Sequence, residues 1–206
     1  MFTGIIEAVG KIREPKVNGA GLRVSIATPE GFLADTEIGD SIAVNGACMT
    51  VVEISGNEFT IEVSAESLEK TTGFETFGEA NLEKALRVGD TIDGHIVSGH
   101  VDAVGNVLEA EKVDECVKLS ILVPKILSPL VAYKGSVAIN GVSLTINAVE
   151  DTPAGSKITI NLIPHTLKMT TLSRLKPGHF VNVEADMLAR YVERVTQARD
   201  DKDGLF

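Results

Sequence analysis

Short apolar segments alternate with turns along most of the chain. Four of them are rich in β-branched residues and are bounded by Gly, Asn, Asp or Pro: residues 23–27, 41–44, 49–54 and 59–63. Such segments, spaced by about ten residues, are typical of strands in a small closed barrel or a sandwich. The pattern therefore predicts a β protein. Short helices are expected near Pro29 and Pro124, because proline suits the first turn of a helix.

The chain carries one eleven-residue pattern twice. Residues 41–51 read SIAVNGACMTV and residues 136–146 read SVAINGVSLTI, at a constant offset of 95. Five of the eleven pairs are identical, and five exchange one apolar residue for another. The remaining pair sets the thiol of Cys48 against the hydroxyl of Ser143. The sequence therefore predicts two versions of one site.

The repeat extends over most of the chain. GIIEAVG at residues 4–10 matches GHVDAVG at residues 99–105, and the offset rises to 99 beyond the turn at residues 55–57 and later to 101. Insertions of this kind cost little in a hairpin loop, because closure entropy grows slowly with loop length. We predict a duplicated domain of about 95 residues with a boundary near His95.

The last segment has no counterpart in the first copy. Its apolar residues recur at helical spacing after Asp186, a suitable N-cap: Leu188, Tyr191, Val192 and Val195. We expect this unpaired apolar stripe to mediate self-association, with packing against its own barrel as the alternative. The polar tail after Arg199 is expected to fray.

Composition narrows the function classes. Hydrophobic residues make up 44% of the 206 and aromatic residues only 4%, so the cores must be mainly aliphatic. A net charge of -10 argues against a nucleic-acid surface, and no apolar run reaches the roughly 18 residues of a membrane span. The N-terminus lacks the pattern of a signal peptide, and Cys48 and Cys116 are expected to be free thiols. These features favour a cytoplasmic protein.

Common catalytic signatures are missing from the sequence. It has no phosphate-binding glycine loop, no cysteine pair at zinc spacing and no nucleophile elbow. His95 and His100 are five residues apart in a strand-like stretch and would face opposite sides, so we predict no metal site.

Polar differences between the two copies are more informative. The unequal pairs are Ile5/His100, Gly39/Lys134, Cys48/Ser143 and Glu66/His165. Cys48 and Thr50 would share one face of a strand, as would Ser143 and Thr145. The second copy adds His100, and an unperturbed imidazole has a pKa near neutrality.

Each of these residues also has an ordinary structural explanation. A cysteine in a strand is usually a small buried hydrophobe, and Ser143 or Thr145 could simply satisfy backbone groups. Lys134 and Glu184 are by default solvated charges. The functional interpretation is favoured because the unequal positions fall inside the repeated motifs.

Five motifs together resemble the riboflavin synthase family: MFTGII, NGACMTV, SGHVDAVG, NGVSLTI and LIPHTL. The resemblance covers essentially residues 1–195. It implies an all-β fold of two tandem homologous six-stranded Greek-key β-barrels (residues 1–95 and 96–186), followed by a C-terminal α-helix and tail (187–206). It also implies a homotrimer in which each barrel binds one 6,7-dimethyl-8-ribityllumazine, with the terminal helix at the trimer contact. Two lumazines would exchange a four-carbon unit to give riboflavin and a ribitylamino-pyrimidinedione, without a metal or organic cofactor.

The resemblance also assigns residues to each pocket. The first pocket is expected to use Gly4, Ile5, Ile6, Ser41, Cys48, Met49, Thr50, Glu62, Val63, Ser64, Ala65, Glu66 and Ser67. The second is expected to use Gly99, His100, Val101, Lys134, Ser143, Leu144, Thr145, Asn161, Leu162, Ile163, Pro164, His165 and Thr166. The reaction centre would lie between the first barrel of one subunit and the second barrel of its neighbour.

The expected catalytic groups follow from the dismutation chemistry. One lumazine must lose a proton from its 7-methyl group, and the other must accept a nucleophile. His100, Ser143 and Thr145 would move protons, while Cys48 or water would supply the nucleophile. Asn140 stands where the family pattern leads us to expect an acid. Either that acid is dispensable or Asp186 takes its role.

Two other functions are compatible with similar barrels. A non-catalytic lumazine or flavin carrier would lack the polar set of the second barrel, which this chain keeps. A flavin-dependent reductase would need a further nucleotide-binding domain, for which no residues remain. The resemblance also allows enclosure in a lumazine synthase capsid.

Overall fold

The computed structural model describes residues 1–200 and consists mainly of antiparallel strands. The first half contains β1 (Ala8–Ile12), β2 (Lys16–Asn18), β3 (Gly21–Ala27), β4 (Ser41–Val44), β5 (Ala47–Ser55), β6 (Glu58–Val63), α1 (Ala65–Lys70) and β7 (Gly78–Lys84). The second contains β8 (Ala103–Val113), β9 (Cys116–Pro124), β10 (Ser136–Ile139), β11 (Val142–Thr152), β12 (Gly155–Leu162), α2 (Pro164–Met169) and β13 (Phe180–Ala185). Helix α3 (Met187–Asp200) follows the second half. Of the tail expected to fray after Arg199, Asp200 is the last residue of α3, and residues 201–206 lie outside the described part.

Each half closes into a six-stranded barrel, as predicted. The strand order in the first is β1-β7-β4-β5-β6-β3, closed by pairing of β1 with β3. Strand β2 pairs with the first residues of β3, beyond the part that pairs with β1. The order in the second is β10-β11-β12-β9-β8-β13, also closed. The long strand β8 takes the place of β1 and β2 together.

Alternation along the strands separates the cores from the site. In β5, Ala47, Met49 and Val51 are buried, whereas Cys48 and Thr50 lie on the outer face. Strand β11 repeats this pattern, with Ser143 and Thr145 outside. Full burial of one Val, Leu or Ile side chain contributes about 1.5–3 kcal/mol, and both cores consist mostly of such residues.

The connections follow the predictions less closely. Residues Lys125–Leu130 form a 3₁₀ helix after Pro124, as expected. The predicted helix near Pro29 is wrong, because residues 30–35 form successive turns in which Phe32 donates to the Pro29 carbonyl and Ala34 donates to Gly31. The four residues inserted into the second copy lengthen β11 and β12 by two residues each relative to β5 and β6.

Four buried asparagines join the two barrels, and we call them the asparagine clasp: Asn45, Asn81, Asn140 and Asn182. The Asn182 amide nitrogen donates to the Asn45 carbonyl at 2.9 Å, and Asn81 donates to the Asn140 carbonyl at 2.9 Å. The side-chain oxygens of Asn182 and Asn81 accept from the backbone N–H groups of Thr72 and Thr171, respectively. The clasp therefore follows the approximate two-fold symmetry of the repeat.

The clasp gives Asn140 a structural role. Asn45 and Asn140 adopt left-handed backbone conformations, with φ of 47° and 46°. Each side-chain oxygen accepts the backbone N–H of the next clasp residue, Asn81 or Asn182. Asparagine tolerates this backbone region and supplies the acceptor without a charge. The amide at position 140 therefore serves the junction of the barrels.

Helix α3 begins as the sequence predicts. The Asp186 carboxylate accepts the backbone N–H of Leu188 at 2.9 Å, which caps the first turn. The apolar stripe is exposed, with Leu188, Tyr191 and Val192 each about two-thirds accessible. None of the helices in the described part of the chain has the length and apolar character needed to cross a membrane.

Candidate functional site

Two segments pass from one barrel to the other, and we call residues 3–6 and 98–101 the crossing segments. Phe2 and Val97, which precede them, pair as an isolated antiparallel bridge. The Gly99 carbonyl accepts the N–H of Cys48 at 2.8 Å, so the second crossing segment lies on the first barrel. The Gly4 carbonyl accepts the N–H of Ser143 at 2.8 Å, so the first lies on the second barrel.

This exchange corrects the predicted grouping of pocket residues. Gly4, Ile5 and Ile6 were expected beside Cys48, but Ile6 packs against the core of the second barrel. Gly99, His100 and Val101 were expected beside Ser143, but Val101 packs against the core of the first. The prediction was wrong because the chain passes to the other barrel between Ile6 and β1, and again between Val101 and β8.

The glycines in the crossing segments are required by close packing. Gly4 and Gly99 have φ of 78° and 80°. A Cβ atom on Gly4 would lie 2.6 Å from the Cβ of Ser143, and one on Gly99 would lie 2.6 Å from the Cβ of Cys48. Only glycine permits both the backbone conformation and this approach.

A buried carboxylate holds each crossing segment in place. Glu184 accepts the backbone N–H groups of Ser98 at 2.7 Å and Gly99 at 3.0 Å. Glu83 accepts those of Thr3 at 2.6 Å and Gly4 at 3.0 Å. Burial raises the pKa of both carboxyls, and the donated hydrogen bonds oppose that shift. The expectation that Glu184 is a solvated charge is therefore wrong.

The Cys48 site lies in a groove between the first barrel and the second crossing segment. A cavity of about 290 Å³ is lined by Ala47, Cys48, Met49, Glu66, Ser67, Lys70, Thr71, Gly99, His100 and Val101. A second cavity of about 620 Å³ is lined by Met1, Cys48, Ser98, His100, Met187, Arg190, Tyr191 and Arg194. The structure thus brings Cys48 and His100, predicted for different pockets, into one site.

The Ser143 site contains a histidine that the sequence did not assign. The Ser143 hydroxyl lies 2.7 Å from Nδ1 of His95. The other ring nitrogen is buried and, within residues 1–200, has no hydrogen-bond partner. Burial lowers the pKa of His95, and the nearby negative charge of Asp186 partly opposes this. A neutral imidazole on a hydroxyl is an arrangement that can move a proton.

His95 lies four residues before Gly99, where the repeated motif begins, and this is why comparison of the copies missed it. The available signal was the position of a histidine immediately before a repeated motif.

Lowering the pH is expected to destabilise the protein through His95. The pKa of His95 in the folded protein lies below the unfolded value of about 6.5. The stability gained by folding with His95 uncharged is therefore complete above pH 6.5 and is lost as pH falls through the folded pKa. Urea midpoints at pH 7 and pH 5 should therefore differ more for the wild type than for His95→Gln. His179→Gln, which alters an exposed histidine, should keep the wild-type difference. An unchanged difference in His95→Gln would contradict this assignment.

Three further predicted residues are exposed: Thr50, Thr145 and Lys134. Thr50 pairs with Ser41 and Thr145 pairs with Ser136, with both threonines exposed. Lys134 has φ of 63° and donates to the side chain of Asn147 at 3.1 Å.

Several predicted side chains have structural roles in the barrel cores, in an ion pair or in a helix cap. Val63, Leu144 and Leu162 are buried in the barrel cores, so Val63 and Leu162 in particular offer a ligand only their main chain. Glu62 pairs with Arg23 at 2.8 Å, and Ser64 caps α1 by accepting the N–H of Ser67. The others lie at the start of α1 or at the end of β12 and in α2: Ala65, Asn161, Ile163, Pro164, His165 and Thr166.

Two related barrels, which set Cys48 and Ser143 at equivalent positions on their outer faces, define a tandem-barrel protein. The model of the lumazine binding domain matches residues 3–85 and again residues 98–186. The riboflavin synthase of Photobacterium phosphoreum is 44% identical over 197 residues, which cover 95% of this chain and 88% of that protein. The riboflavin synthase of Bacillus subtilis (strain 168) is 38% identical, with 94% and 89% covered. The chain belongs to the riboflavin synthase family, and is an enzyme of the transferase class.

Solved structures show the same fold with ligands. LumP complexed with 6,7-dimethyl-8-(1'-D-ribityl) lumazine has a TM-score of 0.80 and 29% identity, covering 90% of this chain and 99% of that one. LumP complexed with riboflavin also has a TM-score of 0.80, at 31% identity and the same coverage. Within residues 1–200, no cluster of three or more His, Cys, Asp or Glu could hold a metal ion, and both cysteines are free.

Proposed function

We propose that the protein dismutates two molecules of 6,7-dimethyl-8-ribityllumazine, giving riboflavin and 5-amino-6-(D-ribitylamino)uracil by transfer of a four-carbon unit. The observation that carries this proposal is the pair of equivalent but chemically unequal sites. One presents Cys48 beneath His100, and the other presents Ser143 beside His95. A reaction between two copies of one molecule needs two similar pockets in which the copies play different roles.

The Ser143 site is suited to proton transfer. The donor lumazine must lose a proton from its 7-methyl group, and the partly buried His95 can accept a proton through the Ser143 hydroxyl. Thr145 lies two residues along the same strand face. Holding two ring systems face to face would supply about 7–11 kcal/mol by orientation alone.

The chain would act as a cytoplasmic homotrimer. The exposed stripe of α3, including Val195 at 52% accessibility, supports this assembly. The reaction centre would form between the Cys48 site of one subunit and the Ser143 site of the next. Enclosure in a lumazine synthase capsid would be compatible with that trimer.

The decisive assay supplies 6,7-dimethyl-8-ribityllumazine alone and follows the absorbance of riboflavin. One riboflavin for every two lumazines consumed, without any added cofactor, would establish the dismutation. Tight binding without riboflavin would instead identify a carrier. The carrier is the second candidate because the LumP structures are complexes with lumazine, riboflavin and flavin mononucleotide.

Cys48→Ser is expected to lower turnover by about tenfold or more while lumazine binding stays within about threefold of wild type. The substitution keeps a small polar group beside Gly99 but removes the thiol. Cys116→Ser, on β9, is the matched control and should retain full activity. Full activity in Cys48→Ser would remove the thiol from the mechanism.

A further inference from the structure

Helix α3 is tied to the Cys48 site by one arginine. Its guanidinium forms a two-point ion pair with Asp102, with Arg190 Nη1 lying 2.6 Å from Asp102 Oδ1 and Nη2 lying 2.7 Å from Oδ2. Nη2 also donates to the His100 carbonyl at 3.3 Å. A bidentate pair of this kind fixes orientation as well as charge.

Asp102 links this arginine to the barrel. The Asp102 side chain is only 11% exposed, and its Oδ2 also accepts the N–H of Ala185 at 2.8 Å. The Asp102 N–H donates to the Val183 carbonyl at 2.9 Å. The residue therefore connects the end of β13, the second crossing segment and the first two turns of α3.

The arrangement has only half a counterpart in the first copy. Glu7 occupies the position of Asp102 and accepts the N–H of Lys84 at 2.7 Å, as Asp102 accepts that of Ala185. No helix follows β7, so an arginine corresponding to Arg190 is missing from that side. The Arg190–Asp102 pair, which we call the clamp, therefore acts on the second crossing segment, over Cys48, and not on the first, over Ser143.

We infer that Arg190 is a positioning residue that holds the main chain of His100 over Cys48 and couples α3 to that site. Gly99 is fixed by Glu184 on one side, and His100 is held by Arg190 on the other. His100 itself is exposed and lines the cavity that also contains Cys48 and Arg190. Loss of the arginine would free the carbonyl of the residue whose ring faces the substrate groove.

The test uses two readouts on the full-length protein. Arg190→Gln should lower kcat in the lumazine assay by about tenfold with a smaller change in KM. A displaced His100 should reduce stabilisation of the transition state more than it reduces binding of the substrate. It should also raise the rate of Cys48 alkylation by iodoacetamide, relative to Cys116, by about fivefold through local opening of the crossing segment. In both readouts Arg190→Lys should lie between the wild type and Arg190→Gln, since lysine keeps the charge but loses the bidentate geometry.

Controls separate this role from folding and assembly. Arg13→Gln breaks an exposed ion pair with Glu58 and should leave both readouts at wild-type values. Arg190→Gln/Asp102→Asn removes the unpaired charge and should restore thermal stability but not kcat. A wild-type alkylation ratio in both Arg190 variants would overturn the proposal, even if their oligomeric mass changed. The kinetic readout rests on the proposed function, whereas the alkylation ratio decides the clamp even if no riboflavin forms.

Discussion

Ser143→Ala is expected to lower kcat for riboflavin formation by about 100-fold, the scale of a lost proton-transfer group. The alanine Cβ keeps the packing against Gly4 and Gly94, so the fold and lumazine affinity should change little. What disappears is the hydroxyl that lies 2.7 Å from His95. Stopped-flow absorbance for turnover and lumazine fluorescence for binding would measure the two effects separately.

Ser128→Ala is the matched control for this experiment. Its hydroxyl also takes part in a side-chain hydrogen bond, accepting from Ser156 at 2.8 Å, but lies outside both sites. Its kcat should stay at the wild-type value. A kcat within threefold of wild type for Ser143→Ala would exclude Ser143 from the chemistry and favour a carrier or a mechanism based on the Cys48 site.

Asn182→Ala is expected to be the most destabilising single change at the junction of the barrels. It leaves the Thr72 N–H and the carbonyl of Asn45 without their side-chain partner. Unsatisfied buried polar groups cost about 1–3 kcal/mol each, so we expect a loss of about 3 kcal/mol. For a chain of this size that corresponds to a fall in Tm of about 10 °C.

Asn81→Ala should show nearly the same loss, because Asn81 makes the symmetric hydrogen bonds to Thr171 and Asn140. Asn18→Ala, at an exposed position on β2, should change Tm by less than about 2 °C. Thermal unfolding of all four proteins at one scan rate gives the comparison. A fall of less than 3 °C for both clasp variants would show that the asparagines do not hold the barrels together.

Local pattern and internal repetition predicted most of the fold. Strand positions followed from β-branched segments between turns, and the shared face of Cys48 and Thr50, like that of Ser143 and Thr145, followed from the strand period. The helix after Asp186 followed from its apolar period and its cap. The turns after Pro29 were misassigned because a proline start does not by itself specify a continuing helix.

The site was predicted less completely, for reasons of three-dimensional connection. The residues of GIIEAVG are continuous in sequence, but Ile6 packs on one barrel and Ala8 begins a strand of the other. Pattern cannot reveal such a crossing, because both barrels offer equivalent surfaces to equivalent segments. His95 was missed since it lies outside the aligned repeat, which begins at Gly4 and Gly99.

The crossing segments also constrain the order in which the protein can fold during synthesis. Cys48 is covered by the second crossing segment only when Gly99 has been made, and Gly4 can pack on Ser143 only after about half of the second barrel has been made. Until then the groove beside Cys48 stays uncovered, and the N-terminal residues have no surface on which to pack. Domains usually fold as units from the N-terminus, but here the first unit cannot be completed until the second has been translated.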